Sequence, residues 1–231
     1  MSVAALIPAA GRGARMGETE NKLLMLLMGA PVIAHTLRIF ERHGAIDAVI
    51  IAAPEDEKAS FRELISSYGL IKVKDVITGG GDRQESVYNL LRASAAYDKV
   101  AIHDGARPFL TDDALSSVLS IPDGCDGAIL GTPLKDTIKR VDSEGIITDT
   151  PRRSDYFAVQ TPQVFLRSRI LEAHEKALSE GYRGTDDAGL LERYGGRIKI
   201  IEGPFENIKI TTREDLLIGE AILRRKTGEA P

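Results

Sequence analysis

Val3-Ala4-Ala5-Leu6-Ile7-Pro8-Ala9-Ala10-Gly11-Arg12-Gly13-Ala14-Arg15-Met16, with Lys22 shortly after, is the stretch on which the reading of this chain turns. Residues 3–7 form a short β-type apolar run. Small residues and glycines follow at the turn, and cations come next. A backbone with so little side chain can approach phosphates closely, and Arg15 and Lys22 can neutralise them. The loop therefore proposes a nucleotide. It does not propose a dinucleotide: Met16 stands where the third glycine of that fingerprint belongs, and no acidic residue closes the next strand. No G-x-x-x-x-G-K-[ST] occurs, so the P-loop way of holding a nucleoside triphosphate is absent as well. Taken alone, Gly11 and Gly13 also fit a tight strand-to-helix turn with solvated arginines.

Working outward, short apolar runs alternate with amphipathic segments. Strands are expected at residues 3–7, 49–53, 73–77, 100–103 and 128–132, with helices at 32–43, 56–68, 83–95 and 111–119. Such alternation predicts βαβ units, hence a single Rossmann-like α/β domain whose mostly parallel central sheet is flanked by helices. In that architecture ligands bind beyond the carboxyl ends of the strands, where the Gly11 loop, Gly79 to Gly81, and His103 to Arg107 all fall. From residue 137 to 160 the rhythm changes to β-branched and polar residues around the turn signal Asp142-Ser143-Glu144-Gly145. This reads as a protruding β-hairpin arm, and because a lone hairpin is barely stable in water, it predicts packing on a second copy of the chain, a homodimer. Helices at 166–178, 187–194 and 213–225 and strands at 198–202 and 208–211 complete the expectation.

Composition narrows the partners. The 231 residues, 43% hydrophobic, suffice for one large α/β domain with a sizeable core. The net charge of −4 argues against a nucleic-acid surface, so a polyanion must be met by local cations and should be small. The single cysteine, Cys125, cannot form an internal disulfide and fits a reducing cytoplasm; it reads as a small buried or loop residue. No apolar run nears the ~20 residues of a membrane span, and no secretory leader is recognisable, so no membrane association is expected.

Three further stretches could carry chemistry. Gly79-Gly80-Gly81 opens a helix and lets backbone press against a flat or charged ligand, with Ser86 offering a hydroxyl one turn in; a plain helix-entry loop fits the same residues. His103-Asp104-Gly105-Ala106-Arg107-Pro108 follows a buried strand and places a carboxylate where nucleotide-bound Mg²⁺ could use it, although an Asp-Gly turn with an ion-paired Arg107 would look alike. His103 reads as a hydrogen-bonded core residue, and the four histidines and one cysteine show no zinc spacing. Arg153 and Lys209 are either solvated or, with Arg15 and Lys22, make two cation pairs able to hold two phosphate groups.

Ordered along the chain, Ala9-Ala10-Gly11-x-Gly13-x-Arg15-Met16, Lys22, Gly79-Gly80, Arg83-Gln84-x-Ser86-Val87, His103-Asp104-x-Ala106-Arg107-Pro108, Asp136-Thr137-x-Lys139, Gln160-Thr161-Pro162-Gln163, Thr185-Asp186 and Asn207-Ile208-Lys209 resemble the 2-C-methyl-D-erythritol 4-phosphate cytidylyltransferases of the non-mevalonate isoprenoid pathway. The resemblance runs nearly end to end. It implies that CTP reacts with a sugar-alcohol phosphate to give a CDP-alcohol and pyrophosphate. It also implies roles: Arg15 and Lys22 at the α-phosphate, the 9–13 loop on the triphosphate with Mg²⁺, and Ala9, Ala10, Gly80 and Ser86 on cytosine. Asp104 would lie beside substrate and metal, while Thr137 and Arg153 from the partner's arm, with Lys209, would grip the substrate phosphate. The chain departs from the family pattern in having Asn21-Lys22-Leu23 where Pro-Lys-Gln is usual, and Gly81 where some members carry an acid. A ribitol 5-phosphate cytidylyltransferase and a non-catalytic nucleotide-binding regulator are the competing readings. The residues suit the chemistry independently: a phosphate nucleophile with a second pKa near ~6 is mostly dianionic at neutral pH and needs no general base.

Overall fold

Strand β1, Val3–Pro8, is apolar throughout and buried on both faces, as a strand in the middle of a sheet covered by helices on each side has to be. The structure is a computed structural model that describes residues 1–11 and 21–227. β1 pairs in parallel with β4, Ala48–Ala53, on one side and β6, Lys99–Ile102, on the other. Beyond β4 lies β5, Val73–Thr78. Beyond β6 come β10, Phe157–Leu166, then β7, Gly127–Pro133, and β11, Ile198–Glu202. The order is β11-β7-β10-β6-β1-β4-β5, and β10 alone among these runs antiparallel to its neighbours.

Period-two alternation splits β1 between two cores. Val3, Ala5 and Ile7 face the layer of α1 (Val32–Arg42), α2 (Lys58–Ser67) and α4 (Asp112–Leu119), where Leu37, Phe40, Phe61 and Leu115 are buried. Ala4 and Leu6 face α3 (Arg83–Ala93), α5 (Arg167–Ser179) and α6 (Asp187–Arg193), where Leu90, Ile170 and Leu191 are buried. Each large apolar side chain removed from water contributes about 1.5–3 kcal/mol, and both faces draw on that term. The cap residues lie where the sequence places them: Asp82, Thr111 and Asp186 accept from the backbone N–H groups of Glu85, Ala114 and Gly189 at the starts of α3, α4 and α6. A smaller core of Leu27, Val32, Phe109 and Ile210, joined by Leu216, Ile222 and Leu223, seats the last helix α7, Arg213–Thr227, against the short hairpin of β2 (Leu26–Leu27) and β3 (Ala30–Pro31).

Two expectations change. Residues 208–211 are not a strand: they cross the carboxyl ends of the sheet as a strap, donating from Ile210 N–H to the Ala106 carbonyl at 2.8 Å, and Asp215 draws Thr211 and Thr212 into the cap of α7. The hairpin is shorter than expected. Its ribbon is β8 (Arg140–Val141) against β9 (Ile147–Asp149), and residues 157–160 already belong to β10, which continues through the cis Thr161–Pro162 bond. Val141, Ile146 and Ile147 are exposed along this arm, and Tyr156 and Val159 at its junction with β10. Among the described residues no helix is long and apolar enough to cross a membrane.

Candidate active site

At the carboxyl ends of β1, β5 and β6 a cavity of about 690 Å³ opens, lined by the Ala9-Ala10-Gly11 turn, Lys22, Gly80 to Arg83, Asp104 to Ala106, Lys209 and Thr211. Its place follows from the topology, since β1 leads to β4 and β5 on one side while β6 pairs on the other, leaving a crevice where the order reverses. The size suits one nucleotide with a small partner.

Each wall is braced by side chains that do not themselves line it. Gly79 donates its N–H to the Ala53 carbonyl, and Gly80 donates to Ser86 Oγ at 2.9 Å while that hydroxyl donates to the Asp82 carbonyl. Gly81 N–H is held by Glu85 Oε2 at 2.7 Å. An added Cβ at Gly79 would stand 2.3 Å from the Ala10 Cβ, so the glycine is what lets the two loops touch. Ser86 is therefore buried behind the loop and positions Gly80. Ala9 N–H is likewise engaged, by the Ala52 carbonyl at 2.7 Å. Lys22 opens a 3₁₀ turn, Lys22–Leu24, fixed by the buried Asn21: its Oδ1 accepts from Leu23 N–H at 3.1 Å and its Nδ2 donates to Glu57 Oε2 at 2.6 Å. Asparagine at this departure from the family pattern thus ties the turn to Glu57 beyond β4 and, through Nδ2 to the Ala9 carbonyl at 3.5 Å, to the end of β1.

Asp104 is the electrostatic centre. Lys209 Nζ lies 2.7 Å from its Oδ2, Arg83 Nε 3.3 Å from its Oδ1 and Arg107 Nε 3.9 Å from Oδ2. Burial pushes this carboxyl up, but Arg83 and Lys209 outweigh it and hold the group well below the usual carboxylate range. Burial opposes the charge on Arg83 as well, and Asp187 with Asp104 overcomes it, raising Arg83 above the ordinary arginine value. For Arg107 burial wins over Asp104 and the shift is downward.

Behind Asp104 the hydrogen bonds fix one tautomer. The Arg107 carbonyl can only accept, so His103 Nε2 carries the proton and donates to it at 3.0 Å; in the neutral ring Nδ1 is then the acceptor, and Thr161 Oγ1, which accepts from Asp104 N–H at 3.1 Å, donates to Nδ1 at 3.1 Å. His103 is fully buried and, through burial first, lowered to about 4, so it is the neutral core residue its neighbourhood suggested. Arg107 Nη1 donates to the Asn207 carbonyl at 2.7 Å and Asn207 Nδ2 to the Thr161 carbonyl at 2.9 Å, which ties the strap carrying Lys209 to the Asp104 turn.

The structure thus brings Ala9, Ala10, Gly11, Lys22, Gly80, Asp104 and Lys209 together around one cavity. Gly13 and Arg15 lie outside the described residues. Thr137 and Arg153 are exposed on the arm and do not line the cavity; Arg153 Nη1 donates to the Lys135 carbonyl. Arg83 and Asn207 received no role from the sequence, and Arg107 only that of an ion pair, which it makes with Asp104. Arg83 was open to discovery there, because a cation one residue after the Asp82 cap of a glycine loop points where the loop's ligand lies. Asn207 was not, since its work depends on contacts across 46 residues of chain. Among the described residues no three His, Cys, Asp or Glu side chains converge. Of the two aspartates that line the cavity among the described residues, Asp82 caps α3 and pairs with Arg183, and a single remaining carboxylate, Asp104, suits a cation that takes most of its oxygens from phosphates and water, as Mg²⁺ does.

Sequence and structure comparisons both find one family. The profile of the 2-C-methyl-D-erythritol 4-phosphate cytidylyltransferase family matches residues 3–225. Proteins of that name from Bacillus cereus and Geobacter metallireducens are 46% identical over 219 residues, covering 95% of this chain and 96% of the relative, and 45% identical over 231 residues, covering 98% and 99%. A solved 4-diphosphocytidyl-2C-methyl-D-erythritol synthase from Anaerococcus prevotii superposes with a TM-score of 0.86 at 29% identity, covering 97% of this chain and 99% of that one. The cytidylyltransferase from Thermus thermophilus gives 0.79 at 28%, covering 97% and 100%.

Proposed function

Because the chain belongs to the 2-C-methyl-D-erythritol 4-phosphate cytidylyltransferase family, we propose that its cavity is where CMP passes from CTP to 2-C-methyl-D-erythritol 4-phosphate, giving 4-diphosphocytidyl-2-C-methyl-D-erythritol and pyrophosphate. The observation that carries the assignment is the convergence of the glycine turns, Lys22, Asp104 and Lys209 on one cavity at the strand ends.

The alcohol phosphate supplies its own nucleophilic oxygen, so the site has to align two polyanions and offset their repulsion rather than remove a proton. Lys22, with Arg15, stabilises the charge that grows at the α-phosphate. Lys209 reaches from the strap toward the substrate phosphate, exchanging part of its contact with Asp104 for it. Asp104 would hold Mg²⁺ together with triphosphate oxygens, and the ion when bound would supply neutralisation of the phosphate charge. The Ala9-Ala10 turn and the Gly80 loop face the base. With the N–H groups of Ala9 and Gly80 engaged inside the chain, the reading of the amino edge of cytosine falls to carbonyls, that of Gly80 and, beside its contact with Asn21 Nδ2 at 3.5 Å, that of Ala9. Thr137 and Arg153 would complete the substrate site of a second subunit through the arm, whose exposed Val141, Ile146 and Ile147 would be covered in the homodimer. The cytoplasm, where CTP is made and Cys125 stays a thiol, is the proposed compartment.

Pyrophosphate release measured with CTP, UTP, ATP and GTP against the methylerythritol and ribitol phosphates tests the proposal. CTP with the methylerythritol phosphate should turn over fastest; equal or faster turnover of ribitol 5-phosphate would reassign the substrate, and no release with either would remove the catalytic reading.

A further inference from the structure

Arg83 is held from two sides. Within the cavity its Nε approaches Asp104 Oδ1 at 3.3 Å, and on the far side its Nη1 lies 2.9 Å from Asp187 Oδ2. Asp187 is the first residue of α6 and its side chain is 1% exposed. From α5, the equally buried His174 brings Nε2 to 3.3 Å from the other oxygen, Oδ1. A line of side chains therefore runs His174, Asp187, Arg83, Asp104, Lys209, from the middle of the helical layer to the cavity.

Neither His174 nor Asp187 touches the cavity, and a well-packed apolar pair would satisfy the α5–α6 contact with less desolvation. Burial pushes the Asp187 carboxyl up, but Arg83, with His174 assisting, keeps it charged. Two carboxylates consequently share one guanidinium. Asp104 in turn shares its own charge among Arg83, Arg107 and Lys209, so any gain in Arg83's attention to Asp104 is a loss for Lys209.

We propose that Asp187, steadied by His174, is a positioning residue that divides Arg83 between two carboxylates and so sets how firmly Asp104 holds Lys209. The proposal rests on the cavity being the site of cytidylyl transfer. Without the Asp187 charge, Arg83 turns wholly to Asp104, the balance around Lys209 shifts, and catalysis suffers though nothing in the cavity has been removed.

A double-mutant cycle tests this on the full-length enzyme, comparing wild type, Asp187→Asn, Arg83→Gln and the double variant for kcat, both KM values and thermal midpoint. If Asp187 acts through Arg83, Asp187→Asn lowers kcat/KM for the alcohol phosphate at least about fivefold in the wild-type background and less than about twofold in the Arg83→Gln background. Losses that multiply in the double variant would overturn the proposal, because a structural role of Asp187 would persist without Arg83. Should Asp187→Asn fail to fold, His174→Leu is put through the same cycle, with His174→Gln, which keeps an amide donor toward Asp187, expected to recover most of the activity. Wild type that is inactive with CTP and the alcohol phosphate would instead refute the reaction itself, so the two failures are told apart.

Discussion

Lys209 Nζ lies 2.7 Å from Asp104 Oδ2 while 37% of its side chain remains exposed, a cation anchored at one edge and open at the other. Its removal should act on the phosphate it is placed to meet: Lys209→Ala is expected to raise KM for the alcohol phosphate more than KM for CTP, read from initial rates with each substrate varied in turn. Lys22→Ala should act on the barrier instead. By comparison with the loss of one donor from an oxyanion site, it should cost roughly 3–4 kcal/mol in kcat, measured by pyrophosphate release at saturating substrates. His103 gives a prediction in stability. Its folded value of about 4 lies below the ordinary value of 6.5, so between those values the unfolded chain binds a proton that the folded one does not. Stability from this group is complete above pH 6.5 and erodes as pH falls toward 4, by about 2 kcal/mol at pH 5. Urea unfolding at pH 7 and pH 5 checks it, since His103→Asn should lose that part of the difference.

At the scale of elements, the loop over residues 79–81 is where geometry is least forgiving. Gly79→Ala would set a Cβ 2.3 Å from the Ala10 Cβ, an atom no rotation can move aside, and should lower stability by roughly 1–3 kcal/mol while weakening CTP binding. Gly11→Ala meets nothing within 4 Å among the described residues and should leave the thermal midpoint nearly unchanged; calorimetry on the two variants separates a packing requirement from mere composition. The contrast also shows what the sequence could tell. Runs such as Val3–Pro8 and Ala48–Ala53 are legible because buried parallel strands are apolar along their whole length, and the helices because their apolar positions repeat with the right period. Strand β10 was hidden by Thr161-Pro162 in its middle, where proline ordinarily argues against a strand. The strap over residues 208–211 looked like a strand because Ile208 and Ile210 alternate with polar residues; its real partners, Ala106, Asp104 and Asp215, are defined only once the chain is folded. The cavity was largely legible for the same reason the strands were, as three loops at strand ends, but the division of Arg83 between Asp104 and Asp187 depends on α6, more than 100 residues away in sequence.

For the whole molecule, the expected dimer makes a prediction that one chain alone could not. If the arm donates Arg153 to the neighbour's site, Arg153→Ala and Lys22→Ala chains mixed under subunit exchange form hybrids with one doubly lesioned and one intact site. Activity should approach about a quarter of wild type per total sites with random mixing and independent sites. No recovery despite demonstrated exchange would place Arg153 in its own chain's site or outside any. The antiparallel β10 between β6 and β7 bears on synthesis as well as on architecture. A nascent chain that has emerged as far as residue 150 holds β6 and β7 but not the strand that joins them, so each presents a bare edge of unpaired N–H and carbonyl groups. The interior of the sheet is therefore closed by one of the last strands to leave the ribosome, and the enzyme must pass through an interval in which its two halves are open to pairing with other chains.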